Sequence, residues 1–428
     1  MVFDIRDFGA VGDGKTLNTL AIQKAIDACA AHGGGQVLLE NGVYKTGTIR
    51  LASNMDLHLA ANAVLLGSER CEDYPNTGDH PHIDPDMCPR HSAACLILAE
   101  ETENTSLTGM GVIDGNGKYF VKPRTAENLA DNPYKRYERI SSDTPPRMVL
   151  FCGCRHARIE NIRMIHQPAA WAYWIHDCDD VVIRGLDIEN ELEYPNNDGI
   201  HINCSRDVAV SDCNIRAGDD ALIVRANSAS LKENKPCERI CITNCNLISH
   251  CGCIRIGWVR DGVIRNLNFS NLTMTDSRNG ILVTFPWLGP ERFADEGREE
   301  TLIENLSFSN FVMDRIHGAP ISFRVDSHEE TRNRIKKIGD IRLTGIRCRS
   351  RRFPRFVGSA RYPLGEITLT DCAFDREDTT PDYTTLSAVY QQDLLKDTAS
   401  ASGSELFVNV DSVILNNTRF RDLRKERD

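Results

Sequence analysis

The sequence has little of what would tie it to a membrane or a polyanion. None of its 428 residues fall in an apolar run approaching the roughly 18 that a membrane-spanning helix needs. Net charge is −11, which leaves no electrostatic footprint for nucleic acid or an anionic lipid surface. Met1 is followed at once by Val-Phe-Asp-Ile-Arg-Asp-Phe, with neither a charged n-region nor an apolar h-region. No secretory leader is therefore expected in this chain. The expectation is a cytoplasmic protein, a trimmed secreted chain being the alternative. The 16 cysteines include no CxxC pair. A structural zinc site is disfavoured, and reduced cysteines acting as small core hydrophobes are expected. A βαβ alternation is also missing beyond the N-terminus, which argues against a nucleotide-binding α/β fold.

What is present is repetition. The pattern apolar, any, apolar, any, Asn/Gly/Asp begins as Ala157-Arg-Ile159-Glu-Asn161 and Val181-Val-Ile183-Arg-Gly185. It continues through Val208 to Asp212, Ile240 to Asn244, Leu267 to Asn271, Leu306 to Asn310, Ile341 to Gly345, Ile367 to Asp371 and Val413 to Asn417. The central residues are separated by 24, 27, 32, 27, 39, 35, 26 and 46 positions. Alternation over five residues is a strand signal, and Asn, Gly or Asp tolerates the left-handed backbone of a tight corner. A second set of strands lies between, at 199–202, 221–224, 254–257, 281–285 and 321–325. Two or three short strands per turn read as an all-β, right-handed parallel β-helix with one strand of chain per rung. The longer intervals are loops inserted at corners. A propeller would need longer, more regular repeats. The whole chain, 1–428, is expected to form one β-helix domain, with 1–35 as an N-terminal cap and 373–428 as C-terminal coils and loops.

The cap is expected to be an amphipathic helix. Asn18 is expected as its cap residue, Leu20, Ile22, Ala25, Ile26 and Cys29 as its apolar face, and Gly33-Gly34-Gly35 as its end. Polar insertions at about 116–146, 286–301 and 373–405 are expected as groove walls or a cover for the far end. Just before the helix, Gly9 to Thr16 matches the phosphate-loop pattern GxxxxGK[ST]. The rival reading as a nucleotide hydrolase rests on that match alone. The alternative is a glycine-rich turn into the cap.

The chemistry is concentrated in three successive rungs. Asn197-Asp198-Gly199-Ile200-His201 is followed by Asp219-Asp220-Ala221-Leu222, and His250 precedes Cys253-Ile254-Arg255-Ile256. Stacked parallel strands lie about 4.8 Å apart, so Asp198, Asp219, Asp220 and His250 would converge. Clustered carboxylates raise one another's pKa and suit acid/base work on a glycoside. The bland alternative is a solvated acidic corner. Trp171, Tyr173 and Trp174 precede these rungs, and Trp258, Phe285 and Trp287 follow. Sugar rings stack on such surfaces, although each aromatic taken singly is as readily core. His80, His82, Asp84, Asp86 and Cys88 imitate a metal-ligand cluster and are read as a loop.

Phe8-Gly9-Ala10-Val11-Gly12-Asp13-Gly14 and Ala21-Ile22-Gln23-Lys24-Ala25-Ile26 resemble the N-terminus of pectin-active β-helix enzymes. Gly111 to Gly117, Pro146-Arg147-Met-Val-Leu-Phe151, Asn197-Asp198-Gly199, Gly218-Asp219-Asp220 and the His250 region extend the likeness in order. Taken together, the sequence resembles glycoside hydrolase family 28, the polygalacturonases and their relatives. That resemblance implies an inverting, metal-free hydrolase of pectin-related oligosaccharides, without cofactor. It makes Asp219 the general acid, Asp198 and Asp220 the holders of the attacking water, and His250 a tuner of the acid. Adjacent rungs bring carboxylates closer than the roughly 6.5–9.5 Å usual for inversion, so geometry alone would suggest retention.

One departure bears on specificity. The family carries an Arg-x-Lys that binds a galacturonate carboxylate, and Leu282 and Thr284 stand there instead. Arg255 is expected to grip the carboxylate in its place, with Arg225 and Arg324 ending neighbouring strands. Asn197, His201, Trp171 and Trp258 complete the expected substrate contacts. Galacturonan or rhamnogalacturonan fragments are the expected substrates, attacked from a chain end. Hydrolysis of a neutral glycoside, a non-catalytic carbohydrate-binding β-helix, and a lyase or epimerase are the alternatives. Oligomeric state is not legible.

Overall fold

The computed structural model describes residues 1–75, 94–125, 136–145, 147–285, 300–325, 335–378 and 406–424. Among these residues three long parallel sheets of 14, 13 and 11 strands run the length of the molecule. Each turn of chain contributes one short strand to each sheet, which makes the right-handed coil of a parallel β-helix. The nine repeats are the rungs of the first sheet. Ile159 pairs with Ile183, Ile183 with Val210, Val210 with Ile242, and so on to Leu369 with Leu415. The strands between them form the third sheet, from Trp171–His176 through Ile200–Asn203, Leu222–Arg225, Ile254–Ile256 and Ile281–Phe285 to Ile321–Val325. The second sheet, with strands such as Asn214–Ala217 and Asn246–Ser249, has too short an alternation to be seen in the sequence.

Side chains that face inward stack rung upon rung. Ile159, Ile183, Val210, Ile242, Phe269, Phe308, Leu343 and Leu369 are all completely buried. Phe269 and Phe308 stack with centroids 5.1 Å apart, and Phe323, Phe356 and Phe407 form a second stack at 5.5 and 5.2 Å. Most cysteines join this core, Cys237 and Cys253 among them, while Cys241 is exposed against expectation because it faces outward on Cys237–Thr243.

The Asn/Gly/Asp that ends each repeat does turn a left-handed corner. Asn161, Gly185, Asp212, Asn244, Asn271, Asn310, Gly345, Asp371 and Asn417 all have φ between 44° and 66°. The amides also link along the axis. Asn310 Nδ2 donates to Asn271 Oδ1 at 3.2 Å, and Asn271 Nδ2 to Asn244 Oδ1 at 3.3 Å. Asn271→Val is therefore expected to lower stability by about 2 kcal/mol, from a β-branched residue in the left-handed region and two lost ladder bonds. Asn271→Gly should lose less than half of that. Equal losses in urea melts of the two variants would refute the account.

The cap helix, α1, spans Thr19–Ala31 and buries Ile22, Ala25, Ile26 and Cys29. One expectation holds in position only, and one fails. Asn18 stands at the N-cap without a side-chain capping bond, because its amide reaches back to Val11, accepting from Val11 N at 2.7 Å and donating to Val11 O at 3.0 Å. Leu20 is 78% exposed, since two residues along a helix carry the side chain round to the opposite face from Ile22. The phosphate-loop match dissolves as well. Asp13–Leu17 is a strand, and the Asp13 carboxylate accepts from Lys15 N and Thr16 N, both at 2.8 Å, and from Thr16 Oγ1 at 2.9 Å. Those bonds hold Asp13 down at about 2. The loop's donors are thus already occupied by the chain's own anion.

Of the three polar insertions, the first contributes an antiparallel pair, Val121–Pro123 with Tyr137–Arg139. Arg139 Nε donates to Ala169 O at 2.8 Å, tying this wall to the segment that leads into Trp171. Residues 286–299 and 379–405 and the His80–Cys88 segment, with Trp287, lie outside the described residues.

Candidate active site

The acidic residues occupy the corner where the second sheet passes the chain to the third. On one rung the corner is Gly218-Asp219-Asp220, on the next His250-Cys251-Gly252, on the next Arg278-Asn279-Gly280. Backbone bonds fix their stacking. Asp219 N donates to Asn197 O at 3.1 Å, Gly199 N to Asp220 O at 2.9 Å, and Ala221 N to Gly252 O at 3.0 Å. His250 N reaches Ala217 O at 3.1 Å. The rungs thus bring Asp198, Asp219, Asp220 and His250 to one corner. Gly252 has to be small: a Cβ there would stand 2.6 Å from Leu282 Cδ1 and 3.0 Å from Asp220 Oδ1.

The carboxylates sit in unequal surroundings. Asp219 is half-buried, whereas Asp198 and Asp220 are each 5% exposed. One carboxylate oxygen each of Asp219 and Asp220 and the Cys251 sulfur all lie within 4.8 Å of one another. Burial pushes the Asp220 carboxyl up and Asp219 adds to that, while Arg255 opposes it. Burial and the two carboxylates also push the Cys251 thiol well up, so it stays protonated. Three ligand-type atoms are close enough for a cation, yet the Arg255 charge on Asp220 and the protonated thiol both work against one.

Asp198 is held from the other side. His201 Nε2 lies 2.9 Å from Asp198 Oδ2, both side chains being nearly enclosed. The His201 ring stacks on Trp171 with centroids 3.5 Å apart and planes 8° from parallel. From the preceding rung the Arg147 guanidinium carbon sits 3.5 Å from the Trp171 centroid and 4.7 Å from that of Trp174. Trp171 is thereby sandwiched between a cation and the imidazole that holds Asp198. The role of Arg147 was not legible in sequence, because it depends on which residue of the next rung it faces.

The expected substrate contacts divide. Arg255 Nε is paired with Asp220 Oδ2, its Nη1 donates to Thr284 Oγ1 at 3.1 Å, and its guanidinium lies 4.9 Å from the Trp258 ring centroid. Thr284 anchors Arg255, and Leu282 packs on Gly252; these are the two positions at which the resemblance leads one to expect an Arg-x-Lys. Arg225 is committed elsewhere: its Nε and Nη2 meet the two oxygens of fully buried Asp261 at 2.7 and 2.8 Å. Asp261 also accepts from Trp258 N at 3.1 Å, so this pair shapes the turn that presents Trp258. Arg324 is exposed one rung beyond Thr284. Asn197 is buried scaffold, its Nδ2 donating to Glu191 O at 3.1 Å. Tyr173 and Phe285 are core, Trp174 is 3% exposed, and Trp171 and Trp258 are half-buried, both faces of Trp171 being taken by Arg147 and His201.

Similarity to known proteins follows this geometry. Residues 89–373 match the model of the family described as Glycosyl hydrolases family 28. An exo-poly-alpha-D-galacturonosidase of Dickeya chrysanthemi is 30% identical over 255 residues, covering 52% of this chain and 41% of that protein. A probable polygalacturonase of Vitis vinifera is 27% identical over 288 residues, covering 65% and 55%. The chain thus spans about half the length of these relatives. The crystal structure of a hyperthermoactive exopolygalacturonase from Thermotoga maritima shares the fold, with a TM-score of 0.68 at 19% identity over 98% of this chain and 93% of that one. With the family match running over more than half its length, and through every rung of the acidic corner, the chain belongs to glycosyl hydrolase family 28.

Proposed function

We propose that the protein hydrolyses the glycosidic bonds of a pectin-related oligosaccharide with inversion, removing units from a chain end. The observation that carries this is the acidic corner itself: a half-open Asp219 beside a buried, Arg255-paired Asp220, stacked by backbone bonds on the rung of an Asp198 held by His201. Asp219 donates its proton to the leaving oxygen as the bond from the anomeric carbon breaks. Asp198 and Asp220 orient a water on the opposite face, and one of them takes its proton as the new carbon–oxygen bond forms. His250, on the adjacent rung, borders the acid. Ser249, next to it, donates Oγ to Asp219 O at 2.6 Å and fixes the corner that aims the acid.

An Asp219 oxygen within 4.8 Å of an Asp220 oxygen would by itself point to retention, whereas family membership favours inversion. Similarity to an exo-poly-alpha-D-galacturonosidase supports action from a chain end. Product NMR on galacturonate and rhamnogalacturonan oligomers, with Asp219→Asn as control, tests all of this. A product of inverted anomeric configuration and single units released from one end are expected. Retained configuration, or random internal cuts, would sink the corresponding part. No turnover of either oligomer by a folded protein would point to a neutral glycoside or a binding protein.

The Trp171 sandwich carries its own expected outcome. Trp171→Leu removes the ring between Arg147 and His201, so Asp198 loses its fixed orientation. A fall in kcat of about tenfold to a hundredfold is expected, from misplacement of the base. His201→Gln, which keeps a donor near Asp198, should retain more activity than His201→Leu. Equal kcat values for those two variants would refute the positioning role.

A further inference from the structure

Cys251 lies inside the acidic corner, and no step of the reaction above uses it. Its backbone is tied down on both sides. Cys251 N donates to Ser249 Oγ at 2.9 Å, and that hydroxyl donates onward to Asp219 O. Asn279 Nδ2, one rung along, donates to Cys251 O at 2.9 Å, while its Oδ1 accepts from Ala319 N at 3.1 Å. The sulfur is placed by Arg255. Nη2 of that guanidinium donates to Cys251 Sγ at 3.5 Å, while its Nε is paired with Asp220 Oδ2. One rigid fork thus fixes the thiol against the carboxylate, and the sulfur lies within 4.8 Å of an oxygen of Asp219 and of Asp220.

The second Asp220 oxygen has no such partner. Oδ1 is enclosed, and among the described residues no N–H or O–H group reaches it. A Cβ on Gly252 would stand 3.0 Å from it, so Oδ1 lies over the residue next to Cys251. A buried carboxylate oxygen left without a donor is costly. The thiol can supply one. Burial and both carboxylates keep it protonated, with Arg255 and Arg278 pulling the other way. Its sulfur already accepts from Arg255, which strengthens the S–H as a donor. Burial acts most on the Asp220 carboxyl and raises it. The Arg255 charge opposes that, Asp219 adds to it, and hydrogen bonds from Arg255 and the Cys251 thiol oppose it again. Asp198 with His201 on the preceding rung and His250 beside Cys251 are the other titratable groups of the corner.

We propose that Cys251 is a positioning residue for the hydrolysis: its S–H donates to Asp220 Oδ1, holding that carboxylate in place as the anion of the pair and leaving the proton to Asp219. The idea rests on the hydrolase reading for the roles of the two aspartates. Adjacent carboxylates share a proton, and a donor on one member decides where the charge stays. Asp220 then meets the attacking water as a fixed anion, and Asp219 keeps a proton to give. The His250-Cys251-Gly252 corner provides both conditions, since the glycine leaves room for the oxygen and the cysteine brings the donor. Serine at 251 would keep a donor there, and alanine would remove it.

Two readouts separate the contact from its use. Infrared difference spectra, wild type minus Cys251→Ala, isolate the Cys251 S–H stretch. It should lie below the frequency of an unbonded thiol. The same difference taken in the Asp220→Asn background should show it higher, because a neutral oxygen accepts more weakly than a carboxylate. The second readout is kcat/KM against pH on galacturonate and rhamnogalacturonan oligomers. A donor to the charged form keeps Asp220 ionised to lower pH, so removing the donor raises the pH at which activity is lost on the acid side. Cys251→Ala should move that limb up by about half a unit to one unit, the span of one ordinary hydrogen bond, with kcat lowered and KM little changed. Cys251→Ser should leave the limb at or below its wild-type position. A residue that merely fills space would change kcat or melting and leave the limb still. An S–H band at the unbonded position in the wild type, an unmoved limb in Cys251→Ala, or equal movement in the serine and alanine variants would overturn the proposal. A lowered band in a folded protein that cleaves neither oligomer defeats the hydrolase reading and leaves the thiol–carboxylate contact standing.

Discussion

Asp219→Asn should lower kcat by about a hundredfold to ten-thousandfold, the range that a positioned general acid contributes. The amide keeps the shape of the side chain and its Oδ1 can still accept from Asp220 N, a bond now 3.1 Å long. What it lacks is a proton to give. Stability should hold or rise slightly, because one of two adjacent carboxylates is gone and Asp220 no longer feels its repulsion. KM should change little, since the half-open side chain adds no buried contact. Retention of more than a tenth of wild-type kcat would show that the proton comes from elsewhere, and Asp220 would be the next group to examine.

Arg255→Met is the second large effect, and it separates two roles for that side chain. Removing one partner of an enclosed ion pair leaves an uncompensated charge, which costs about 3–5 kcal/mol. The structure commits Arg255 to Asp220 and Thr284, so the loss should be read first in the melting temperature and kcat. A guanidinium devoted to substrate would instead raise KM and leave stability alone. The pH dependence follows with a definite sign. Burial already raises the folded-state pKa of Asp220, and Arg255 is what opposes it. In the variant the folded protein holds that proton more tightly than the unfolded chain does. Ionising Asp220 then works against folding, and the penalty grows as pH rises above the unfolded value of about 3.9 until the folded value is passed. Arg255→Met should therefore be less stable at pH 7 than at pH 4, relative to wild type. Adding Asp220→Asn should restore most of the stability and none of the activity. A single variant with wild-type melting at both pH values would refute the pairing.

The solenoid could be read from sequence because its rule is local and repeated. Apolar alternation followed by a residue suited to positive φ recurs nine times, and the strand registers join those same positions. The acidic corner was legible for the same reason: a known step between rungs turns sequence spacing into distance. Side-chain commitments were not legible. Arg225 and Arg255 look alike in the sequence, each ending or interrupting an apolar strand. One binds Asp261, 36 residues further on, and the other binds Asp220, 35 residues back. Both choices depend on turns whose course no pattern announces. Arg147 was invisible for a related reason. A buried arginine is intelligible only once Trp171 is known to face it from the next rung. Asn18 takes the cap position without the capping bond, and Leu20 leaves the apolar face, at a boundary where the helix meets a turn with its own hydrogen-bonding demands.

The regular step between rungs has a consequence for how recognition can change. Loops leave and rejoin the coil at corners, and intervals from 24 to 46 residues return to the same register. Each corner therefore behaves as an address on a ruler, with its own short stretch of chain and its own position along a bound polymer. Rewriting one address alters what is read at one place and leaves the graduations on either side intact. A substitution at one mark can thus change what is held there while the acidic corner stays where it is. Preference for a different sugar chain becomes a matter of editing the scale locally.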